Sequence, residues 1–592
     1  MDRRSFVKGG ALSAAAVATA AALPVAAMAD EASAPAAGVP AWLGAEPEIA
    51  EGDIVRTDET TLLVIGAGTA GLACAATAAD MGIDFILAEK LPVISESREY
   101  FGAVNTRQII EAGLEADKGM LLNELVSYAS GKCDRDLIKM WIDESAETVE
   151  WYEPMFNAVG QAVILPDYVE EKAGGTLNYS PVTEHMSATA YIPPTRNEVI
   201  LSHIEESGNE VRWSYDLVKL VHADGKVTGA IFDTDEGLVQ VNAPYTVIAT
   251  GGYAANPQMM MALQPDAVAS VTAAAYNPPC TGQGIKAGLW AGAVKDADPT
   301  PMLFDRGAVL PGVDAGYVDL GDGKFGLPGT RFQLNIGSQP FLKVNRYGKR
   351  FANESVPYDN MCFAAGRQPG GVFCQVFDGN VKEDVVRFMQ TGCAAASRLY
   401  LEMLGETVDD YFEYVGCTDL FQKADTLDEL ADKLGFEGEA KEAFLATIDE
   451  YNALYDAQED SQYGKEAYRL SAVREAPFYG CWFGSSLLTT LDGLRINADL
   501  EVLDADAQPI PGLYAIGDAS GSFFATNYPE YIVGVAAGRS TVEGRHLAKA
   551  IAAKEGVDVE AADAAAKEAL AAAVTEEVPA ADYKTAIATV CW

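Results

Sequence analysis

The chain has 592 residues, enough for two packed lobes, and its 49% hydrophobic and 22% charged residues are typical of a folded globular protein and not of a disordered or fibrous one. It carries 42 Lys and Arg against 86 Asp and Glu, and the resulting formal charge of -44 repels phosphate backbones and anionic lipid surfaces. The charge excludes nucleic acid as a partner. The acidic surface could steer a basic redox partner, although solubility alone is the preferred interpretation.

The N-terminus predicts export. Residues 2–8 resemble the twin-arginine consensus, an Ala-rich apolar stretch follows, and residues 27–29 form an A-x-A cleavage site. We expect residues 1–29 to be a twin-arginine signal peptide and the mature protein to be periplasmic, extracytoplasmic or associated with the cell envelope. A membrane anchor is the alternative, but alanine contributes little hydrophobicity and Pro24 interrupts the run. Residues 30–59 lack apolar periodicity and predict a flexible spacer.

The first predicted elements are a strand, a glycine turn, a helix and a second strand. An apolar run at residues 61–65 ends at a glycine, an Ala-rich helical segment follows, and a second apolar run covers residues 85–88. A G-x-G-x-x-G pattern in this context binds a dinucleotide, because its glycines permit the turn and the approach of backbone to a pyrophosphate. The residues predicted to bind the ADP half are Gly66, Gly68, Thr69, Ala70, Gly71, Glu89 and Lys90.

Further elements are predicted along the chain. Residues 137–149 have helical apolar spacing, residues 211–241 suggest a β-meander, and residues 245–249 form another buried strand. Residues 256–480 become rich in Pro, Gly and aromatic side chains, which indicates an inserted lobe. The nucleotide pattern returns at residues 512–518.

The first glycine pattern is compatible with either NAD or FAD, and two later segments indicate which of the two is bound. Thr250, Gly251 and Gly252 resemble the "ATGG" turn of two-dinucleotide-binding flavoproteins. Gly517 and Asp518 resemble the second FAD motif of these proteins, whose Asp binds the ribityl chain. Three such motifs in this order predict non-covalently bound FAD.

The predicted fold class is α/β, with a Rossmann-like, two-dinucleotide-binding FAD domain interrupted by an inserted capping domain of α+β type. The FAD domain is predicted in two parts, and the capping domain is predicted to bind the substrate. The predicted boundaries are 60–255 for the first FAD part, 256–480 for the capping domain, 481–550 for the second FAD part and 551–592 for a C-terminal helical tail.

These segments, together with residues 281–284 and 344–354, resemble the fumarate reductase/3-ketosteroid dehydrogenase flavoprotein superfamily over about residues 60–550. The resemblance implies hydride transfer between flavin N5 and a carbon near an activating carbonyl, with the substrate trapped under the cap. It also implies that Gly284 contacts FAD. Gly534 and Val535 open a helix whose positive end would stabilise the reduced flavin.

The fumarate branch of this superfamily uses two histidines, a catalytic Arg and a Glu-Arg proton relay, and the chain lacks most of them. None of its histidines lies in the capping segments where the family has them, and these histidines are His185, His203, His222 and His546. Tyr358 stands near the place of the catalytic Arg, and the relay pair falls on Leu334 and Gly337. Because a dicarboxylate would find few cationic partners, we do not expect fumarate as the substrate.

The ketosteroid branch resembles the chain more closely. Its N-E-S-x-x-Y pattern matches residues 353–358, and its Tyr-Pro pattern matches Tyr528 and Pro529. The resemblance implies that Tyr358 and Tyr528 are catalytic: one phenol exchanges a proton with carbon, and the other polarises a carbonyl oxygen. A third tyrosine of the branch could be Tyr168. Residues 530–532 replace the Gly-rich turn of the steroid enzymes, which argues against a steroid substrate.

Several charged residues near these motifs have two interpretations. Asp359 and Glu354 could tune the phenols or cap a helix. The adjacent Asp305 and Arg306 could form an ion pair, which is preferred, or Arg306 could face the substrate. The nine cysteines show no CxxC or CxxCH spacing, so most are interpreted as core residues, and no metal site is predicted.

The sequence therefore predicts an exported, FAD-dependent enzyme that reduces an activated C=C bond, with Tyr358 as the proton donor and Tyr528 on the carbonyl. The expected partners are an unsaturated carbonyl substrate and an external electron donor, for example a membrane-anchored multihaem cytochrome. One alternative is a ketosteroid-type dehydrogenase working in the oxidative direction. Another is a flavoprotein that only carries electrons.

Overall fold

The computed structural model describes residues 39–95, 101–164, 183–187, 194–330, 333–388, 408–414, 418–529, 532 and 534–574. The predicted signal peptide, residues 1–29, lies outside the described residues. The chain divides into two compact units, residues 1–45 and residues 46–592. In the first unit, residues 40–43 form a turn in which the Leu43 amide donates to the Pro40 carbonyl at 3.0 Å.

The nucleotide lobe is built on a six-stranded sheet and on smaller sheets beside it. Its strands are β1 (Ile54–Glu59), β2 (Leu62–Ile65), β3 (Phe85–Ala88), β4 (Phe101–Ala103), β5 (Val163–Ile164), β6 (Thr183–Ser187), β7 (Val211–Arg212), β8 (Asp216–Ala223), β9 (Lys226–Thr234), β10 (Gly237–Asn242), β11 (Tyr245–Ile248), β20 (Glu501–Leu503) and β21 (Pro509–Ala515). Its helices are α1 (Thr69–Asp80), α2 (Arg107–Glu111), α3 (Lys118–Tyr128), α4 (Arg135–Ala158), α5 (Arg196–Glu206), α14 (Val535–Lys554) and α15 (Val559–Ala573).

The six-stranded sheet has the order β20-β21-β11-β2-β3-β7, and all its pairs except β20 with β21 are parallel. Strand β2 is fully buried, as expected of a parallel strand covered on both faces. Helix α1 consists mostly of small residues and packs against α14. A side chain at Gly544 would overlap the backbone of Ala70, so α14 depends on this glycine for its close approach.

The end of the predicted spacer is a strand, which corrects the flexible-spacer prediction for residues 54–59. Strand β1 pairs in parallel with β10 at the edge of the four-stranded sheet β1-β10-β9-β8. Only alternate residues of β1 are partly buried, as expected of an edge strand, so the run lacks the apolar signal of a core strand. The predicted meander is confirmed, since β8, β9 and β10 are antiparallel neighbours.

The capping lobe contains a second six-stranded sheet centred on a long strand. Its strands, with an exposed hairpin, are β12 (Val271–Ala274), β13 (Pro301–Val309), β14 (Val318–Gly321), β15 (Lys324–Gly326), β16 (Leu342–Val344), β17 (Phe373–Phe377), β18 (Gln422–Ala424) and β19 (Phe478–Thr490). Its helices, with two that precede β12, are α6 (Pro257–Leu263), α7 (Pro265–Val268), α8 (Gln283–Trp290), α9 (Tyr358–Gly366), α10 (Val381–Phe388), α11 (Val408–Tyr414), α12 (Leu427–Lys433) and α13 (Gly438–Ala457).

Two predicted boundaries fall inside regular elements. The boundary at residues 480/481 lies within β19, which pairs with β12, β13, β17 and β18 and is buried along nearly its whole length. The boundary was predicted where the content of Pro, Gly and aromatic residues falls, and this point comes before β19 ends. The boundary at 550/551 lies within α14, and residues 575–592 of the predicted tail lie outside the described residues. Among the helices of the described residues, none is long and apolar enough to cross a membrane.

Candidate active site

The predicted glycine turn lies between β2 and α1. Gly66 has φ +106° and close contact with the next strand, since a side chain there would lie 2.6 Å from the carbonyl oxygen of Ala249. A side chain on Gly71 would overlap the carbonyl of Gly66. Gly68, in contrast, has an ordinary φ of -84°, and none of the described residues places an atom within 4 Å of where its side chain would be. The turn therefore leaves open space at the one glycine expected to face a pyrophosphate.

Two charged side chains hold the turn. Glu89 accepts from the amide of Ala67 at 2.8 Å and from the amide of Leu91 at 3.0 Å, which fixes its carboxylate beside the turn. Arg196, at the start of α5, is fully buried and donates to Thr69 Oγ1 at 2.8 Å. This arginine was missed by the sequence analysis, because it lies more than a hundred residues from the motif and belongs to no fingerprint. A buried guanidinium at the N-terminus of α1 suits a pyrophosphate.

The second predicted motif is a short 3-10 turn, Gly517–Ala519, held by α14 and β19. Thr489 Oγ1 donates to Asp518 Oδ2 at 2.8 Å. Arg539 donates to the Gly517 carbonyl at 3.1 Å, and Glu543 accepts from the Gly517 amide at 2.7 Å. Burial raises the pKa of Asp518, and the Arg539 charge and the Thr489 hydroxyl oppose that rise. The aspartate is thus held in one orientation by a network that the motif alone does not show.

The third motif follows β11 and meets the helix that begins at Gln283. Gly252 and Gly284 are both required by close packing, because a side chain on Gly252 would overlap Thr490 and one on Gly284 would overlap Thr250 Oγ1. Gly251 has φ +72°. The hydroxyl oxygen of Thr250 is buried and takes no hydrogen bond from the described residues, which leaves it for a ligand.

Lys90 connects the first and third motifs. Its ammonium donates to Thr281 Oγ1 at 3.2 Å, directly before the glycines that open α8. The three predicted FAD motifs therefore meet at the carboxyl ends of β2, β11 and β21. Three features here suit the pyrophosphate and the ribityl chain of FAD. They are the open space at Gly68, the unbonded Thr250 hydroxyl and the fixed Asp518 carboxylate.

Tyr528 lies at the N-terminus of α14. Its oxygen accepts from the backbone amide of Ala536 at 3.5 Å, and its ring packs at 5.4 Å from the ring of Phe524. Gly534 is the N-cap of this helix with φ +70°, and its carbonyl accepts from the Gly102 amide at 2.8 Å. The prediction that Gly534 and Val535 open a helix is confirmed, and the same helix end also reaches Tyr528.

Tyr358 is the first residue of α9 in the capping lobe and is partly buried. The guanidinium carbon of Arg306 lies 4.8 Å from the centre of its ring, and the ring of Phe304 lies 5.5 Å away. Arg306 does not bind Asp305 among the described contacts; it donates to Ser338 Oγ at 2.7 Å and to Gln333 Oε1 at 3.2 Å. The described contacts include no direct Asp305–Arg306 ion pair; instead the Ser338 hydroxyl, which accepts from Arg306, donates to Asp305 Oδ1 and so bridges the two side chains.

Asp359 follows Tyr358 in the first turn of α9 and is fully buried. It accepts from the hydroxyl of Tyr128 at 3.1 Å on each carboxylate oxygen. Burial raises the pKa of Asp359 to about 7, against the lowering effect of the Tyr128 hydrogen bond. Tyr128 was not singled out in the sequence, whereas the predicted third tyrosine, Tyr168, lies outside the described residues.

Glu354 belongs to a buried ion network and does not tune the phenols through any described contact. It binds Arg350 and Lys465, at 2.8 Å and 3.3 Å, and Arg350 also binds Asp460 at 2.8 Å. Burial alone would raise the pKa of Glu354, but the two cations hold it below its ordinary value. The helix-cap alternative is also not seen, since Pro357 is the N-cap of α9.

The described histidine side chains pair with carboxylates of the nucleotide lobe. His203 binds Asp80, His222 binds Glu46 and His546 binds Glu144, at 2.8 Å, 2.9 Å and 3.0 Å. None of these three is beside Tyr358 in the described contacts. No group of three or more His, Cys, Asp or Glu in the described ranges is placed to hold a metal.

Comparison with known proteins places this geometry among flavoproteins. A model of the family described as FAD binding domain matches residues 61–530. The vinyl phenol reductase of Lactiplantibacillus plantarum is 26% identical over 513 residues, which cover 84% of this chain and 98% of that protein. The NADH:fumarate oxidoreductase of Klebsiella pneumoniae is 25% identical over 79% of this chain, and the match spans 45% of that longer protein.

The fold is also similar to a solved structure from the steroid branch. The 3-ketosteroid-delta4-(5alpha)-dehydrogenase from Rhodococcus jostii superimposes with a TM-score of 0.61 at 18% sequence identity, over 84% of this chain and 97% of that one. This similarity shows a shared fold of an α/β nucleotide lobe with an inserted cap.

Proposed function

The chain belongs to the FAD binding domain family, and from this premise we propose that it is an FAD-dependent reductase of activated carbon-carbon double bonds. FAD is its cofactor and, when bound and reduced by an electron donor, would supply a hydride from N5. The proposed substrate is an α,β-unsaturated carbonyl compound. Relatives named vinyl phenol reductase and NADH:fumarate oxidoreductase support the reductive direction and leave the substrate to be identified.

The position of Tyr358 beneath Arg306 is the observation that carries the proposal. A phenol that protonates the substrate carbon becomes a phenolate, and a guanidinium over its ring lowers the free energy of that anion. The substrate gains one hydride and this one proton, which completes the saturated product. Tyr358 then takes a proton from solvent and is ready for the next cycle.

Tyr528 is proposed to bind the substrate carbonyl. Its oxygen accepts from the Ala536 amide at the positive end of α14, which polarises the phenol and strengthens it as a donor. A hydrogen bond from Tyr528 withdraws electron density from the double bond through the carbonyl. Hydride addition at the β-carbon is thereby favoured.

A relative supports a substrate that carries a ring. The vinyl phenol reductase of Lactiplantibacillus plantarum, which is 26% identical to this chain, is named for a vinyl phenol. Phe304 packs on Tyr358 and Phe524 packs on Tyr528, and both phenylalanines are buried. An aryl enone is therefore the first probe to test.

The proposal includes export and an external electron donor. The twin-arginine pattern of residues 2–8 supports transport of the folded flavoprotein out of the cytoplasm. Because the sequence has no CxxCH motif, electrons would come from a separate protein, such as a membrane-anchored multihaem cytochrome. Fusion of residues 1–40 to a reporter that is active only after twin-arginine export tests this part, and substitution of Arg3 and Arg4 by Lys should abolish the signal.

The catalytic proposal is tested by anaerobic stopped-flow reoxidation of the viologen-reduced enzyme. Four compounds serve as oxidants in separate experiments: benzalacetone, fumarate, androstenedione and a vinyl phenol. The Tyr358→Phe variant is compared with the wild type. We expect benzalacetone to reoxidise the wild-type flavin, and Tyr358→Phe, with FAD still bound, to be slower by about 10²–10⁴-fold. Reduction of the oxidised enzyme by a saturated ketosteroid would favour the dehydrogenase direction. Unchanged rates in Tyr358→Phe and Tyr528→Phe would favour an electron carrier.

A further inference from the structure

Tyr128 touches the segments of both proposed catalytic tyrosines. It is the last residue of α3, a helix of the nucleotide lobe that packs against α4. Its hydroxyl donates to Asp359 of the capping lobe, 3.1 Å from each carboxylate oxygen. Asp359 follows Tyr358 in the same helical turn. Because the two residues are adjacent in one helix, a bond that fixes Asp359 also fixes the backbone of Tyr358.

The backbone of Tyr128 makes a second contact in the opposite direction. Its carbonyl oxygen, one of the terminal carbonyls that a helix leaves without an intrahelical donor, accepts from Thr526 Oγ1 at 3.3 Å. Thr526 lies two residues before Tyr528. The Asp134 amide, which directly precedes α4, donates to the Ser522 carbonyl at 2.6 Å. Ser522 lies before Thr526 and Tyr528, so this backbone bond also attaches that segment to the nucleotide lobe.

We propose that Tyr128 is a positioning residue that holds the Tyr358 helix of the cap in register with the Tyr528 segment of the nucleotide lobe. The inference rests on the proposed function, since it concerns the relative placement of the proton donor and the carbonyl-binding phenol. The bond between the Tyr128 hydroxyl and the Asp359 carboxyl group is directional, and it crosses between two lobes. Two groups that act on one substrate, one on the carbon beside the carbonyl and the other on the carbonyl oxygen, require placement within about 0.5 Å.

A bond between lobes could also contribute stability alone, and the two roles give different kinetics. A positioning role acts on the reacting geometry, so its loss lowers kcat and leaves KM and FAD content unchanged. A purely structural role lowers the melting temperature and leaves the kcat of the folded enzyme as it was. The substitution Tyr128→Phe is suited to this comparison, because it removes one hydroxyl and keeps the ring.

The matched control is Tyr245→Phe. Tyr245 begins β11 and donates to Glu555 Oε1 at 2.8 Å, which is also a tyrosine-carboxylate bond but lies at the end of the strand away from Thr250. Both variants lose the same kind of bond. Only Tyr128→Phe loses one that reaches the Tyr358 helix.

The experiment measures kcat, KM and bound FAD with reduced viologen and benzalacetone, or with the panel member that the wild type reduces fastest. We expect Tyr128→Phe to lose at least tenfold in kcat at unchanged KM, and Tyr245→Phe to match the wild type. Asp359→Leu, which has no acceptor for the Tyr128 hydroxyl, should cause a similar loss, and the double variant should be no worse than the poorer single one, because both substitutions remove the same interaction. Wild-type kcat in Tyr128→Phe, or additive losses in the double variant, would overturn the inference.

Failure of the two proposals is distinguishable. If Tyr358→Phe is inactive and Tyr128→Phe has wild-type kcat, the positioning role alone is wrong. If Tyr358→Phe keeps full activity, the proposed function is wrong, whatever Tyr128→Phe does. Should Tyr128→Phe fold poorly, Thr526→Val breaks the other contact and should lower kcat at unchanged KM; wild-type kcat there would equally count against the role.

Discussion

The hydroxyl of Thr489 donates to Asp518 Oδ2 at 2.8 Å and thereby joins the long strand of the cap to the second FAD motif. Asp518 is the residue that the family resemblance places on the ribityl chain. Its orientation depends on Thr489 from one side and on Arg539, 3.6 Å away, from the other. Flavin affinity should therefore respond to a residue that belongs to the capping sheet.

Replacement of Thr489 by Val should weaken FAD binding. The variant keeps the shape of the side chain and removes the donor to a carboxylate, a bond of about 1.5–3 kcal/mol, so the Kd for FAD should rise about tenfold or more. Titration of the apoprotein with FAD, followed by flavin fluorescence, measures the change. Thr489→Ser keeps the hydroxyl and is the control; equal affinities of the Val and Ser variants would contradict the prediction.

Replacement of Arg306 by Met should slow proton donation and leave the flavin bound. The guanidinium over Tyr358 stabilises the phenolate, and its loss should lower the single-turnover rate by about tenfold, since 1.4 kcal/mol corresponds to that factor. Arg469→Met is the control, because Arg469 is also a buried arginine of the cap but bonds the Phe388 carbonyl. Equal rates in the two folded variants would show that Arg306 has no role in the chemistry.

Replacement of Glu354 by Gln should destabilise the cap without changing the chemistry. The carboxylate is buried between Arg350 and Lys465, and removal of one member of a buried ion pair costs about 3–5 kcal/mol. Chemical denaturation should show this loss, with kcat of the folded enzyme unchanged. The exposed pair of Glu429 and Lys433 offers the control Glu429→Gln, for which we expect no measurable change. A kcat effect of Glu354→Gln without loss of stability would restore the tuning role.

The stability of the protein should depend on pH through Asp359. Burial raises the pKa of this carboxyl to about 7, so the folded state holds the proton more tightly than the unfolded state does. The stability contributed by the protonated group is full below about pH 4 and is lost as the pH rises through about 7, at about 1.4 kcal/mol for each unit of pKa difference. Asp359→Asn should flatten the fall in melting temperature between about pH 4 and 7. Parallel curves for the two proteins would contradict this.

The sequence predicted the glycine turn, the two later FAD motifs and the helix at Gly534, because each depends on local backbone requirements that neighbouring residues reveal. Arg196, Thr489 and Tyr128 could not be predicted in this way. Each acts on a residue far along the chain, and only the packing of helices and strands brings the partners together.

Errors of the sequence analysis have a similar cause. Asp305 and Arg306 are adjacent, so an ion pair was the natural expectation, but in the described contacts the hydroxyl of Ser338, thirty-odd residues along the chain, lies between the two side chains. Glu354 belongs to a family motif, yet its role is decided by its partners Arg350 and Lys465. Arg350 in turn also binds Asp460. Composition placed the end of the cap at residue 480, whereas the hydrogen bonds of β19 extend to Thr490.

The first glycine motif permits a sharper test, because its three glycines are required for different reasons. Gly71→Ala should damage the fold itself, since the added methyl group would overlap the Gly66 carbonyl. Gly68→Ala should fold normally, because φ there is -84° and the described residues leave the position open to 4 Å. The open space is where the pyrophosphate is expected, so the methyl group should exclude FAD.

The apoproteins of the Gly68→Ala and Gly71→Ala variants should therefore differ in stability, while both lose FAD. Circular dichroism melting measures the first quantity and the flavin absorbance of the purified protein measures the second. Gly52→Ala is the control: its position is equally open but lies outside the FAD motifs, and it should match the wild type in both. If Gly68→Ala binds FAD as tightly as the wild type, the pyrophosphate does not pass over Gly68, and the contact must be made elsewhere on the turn.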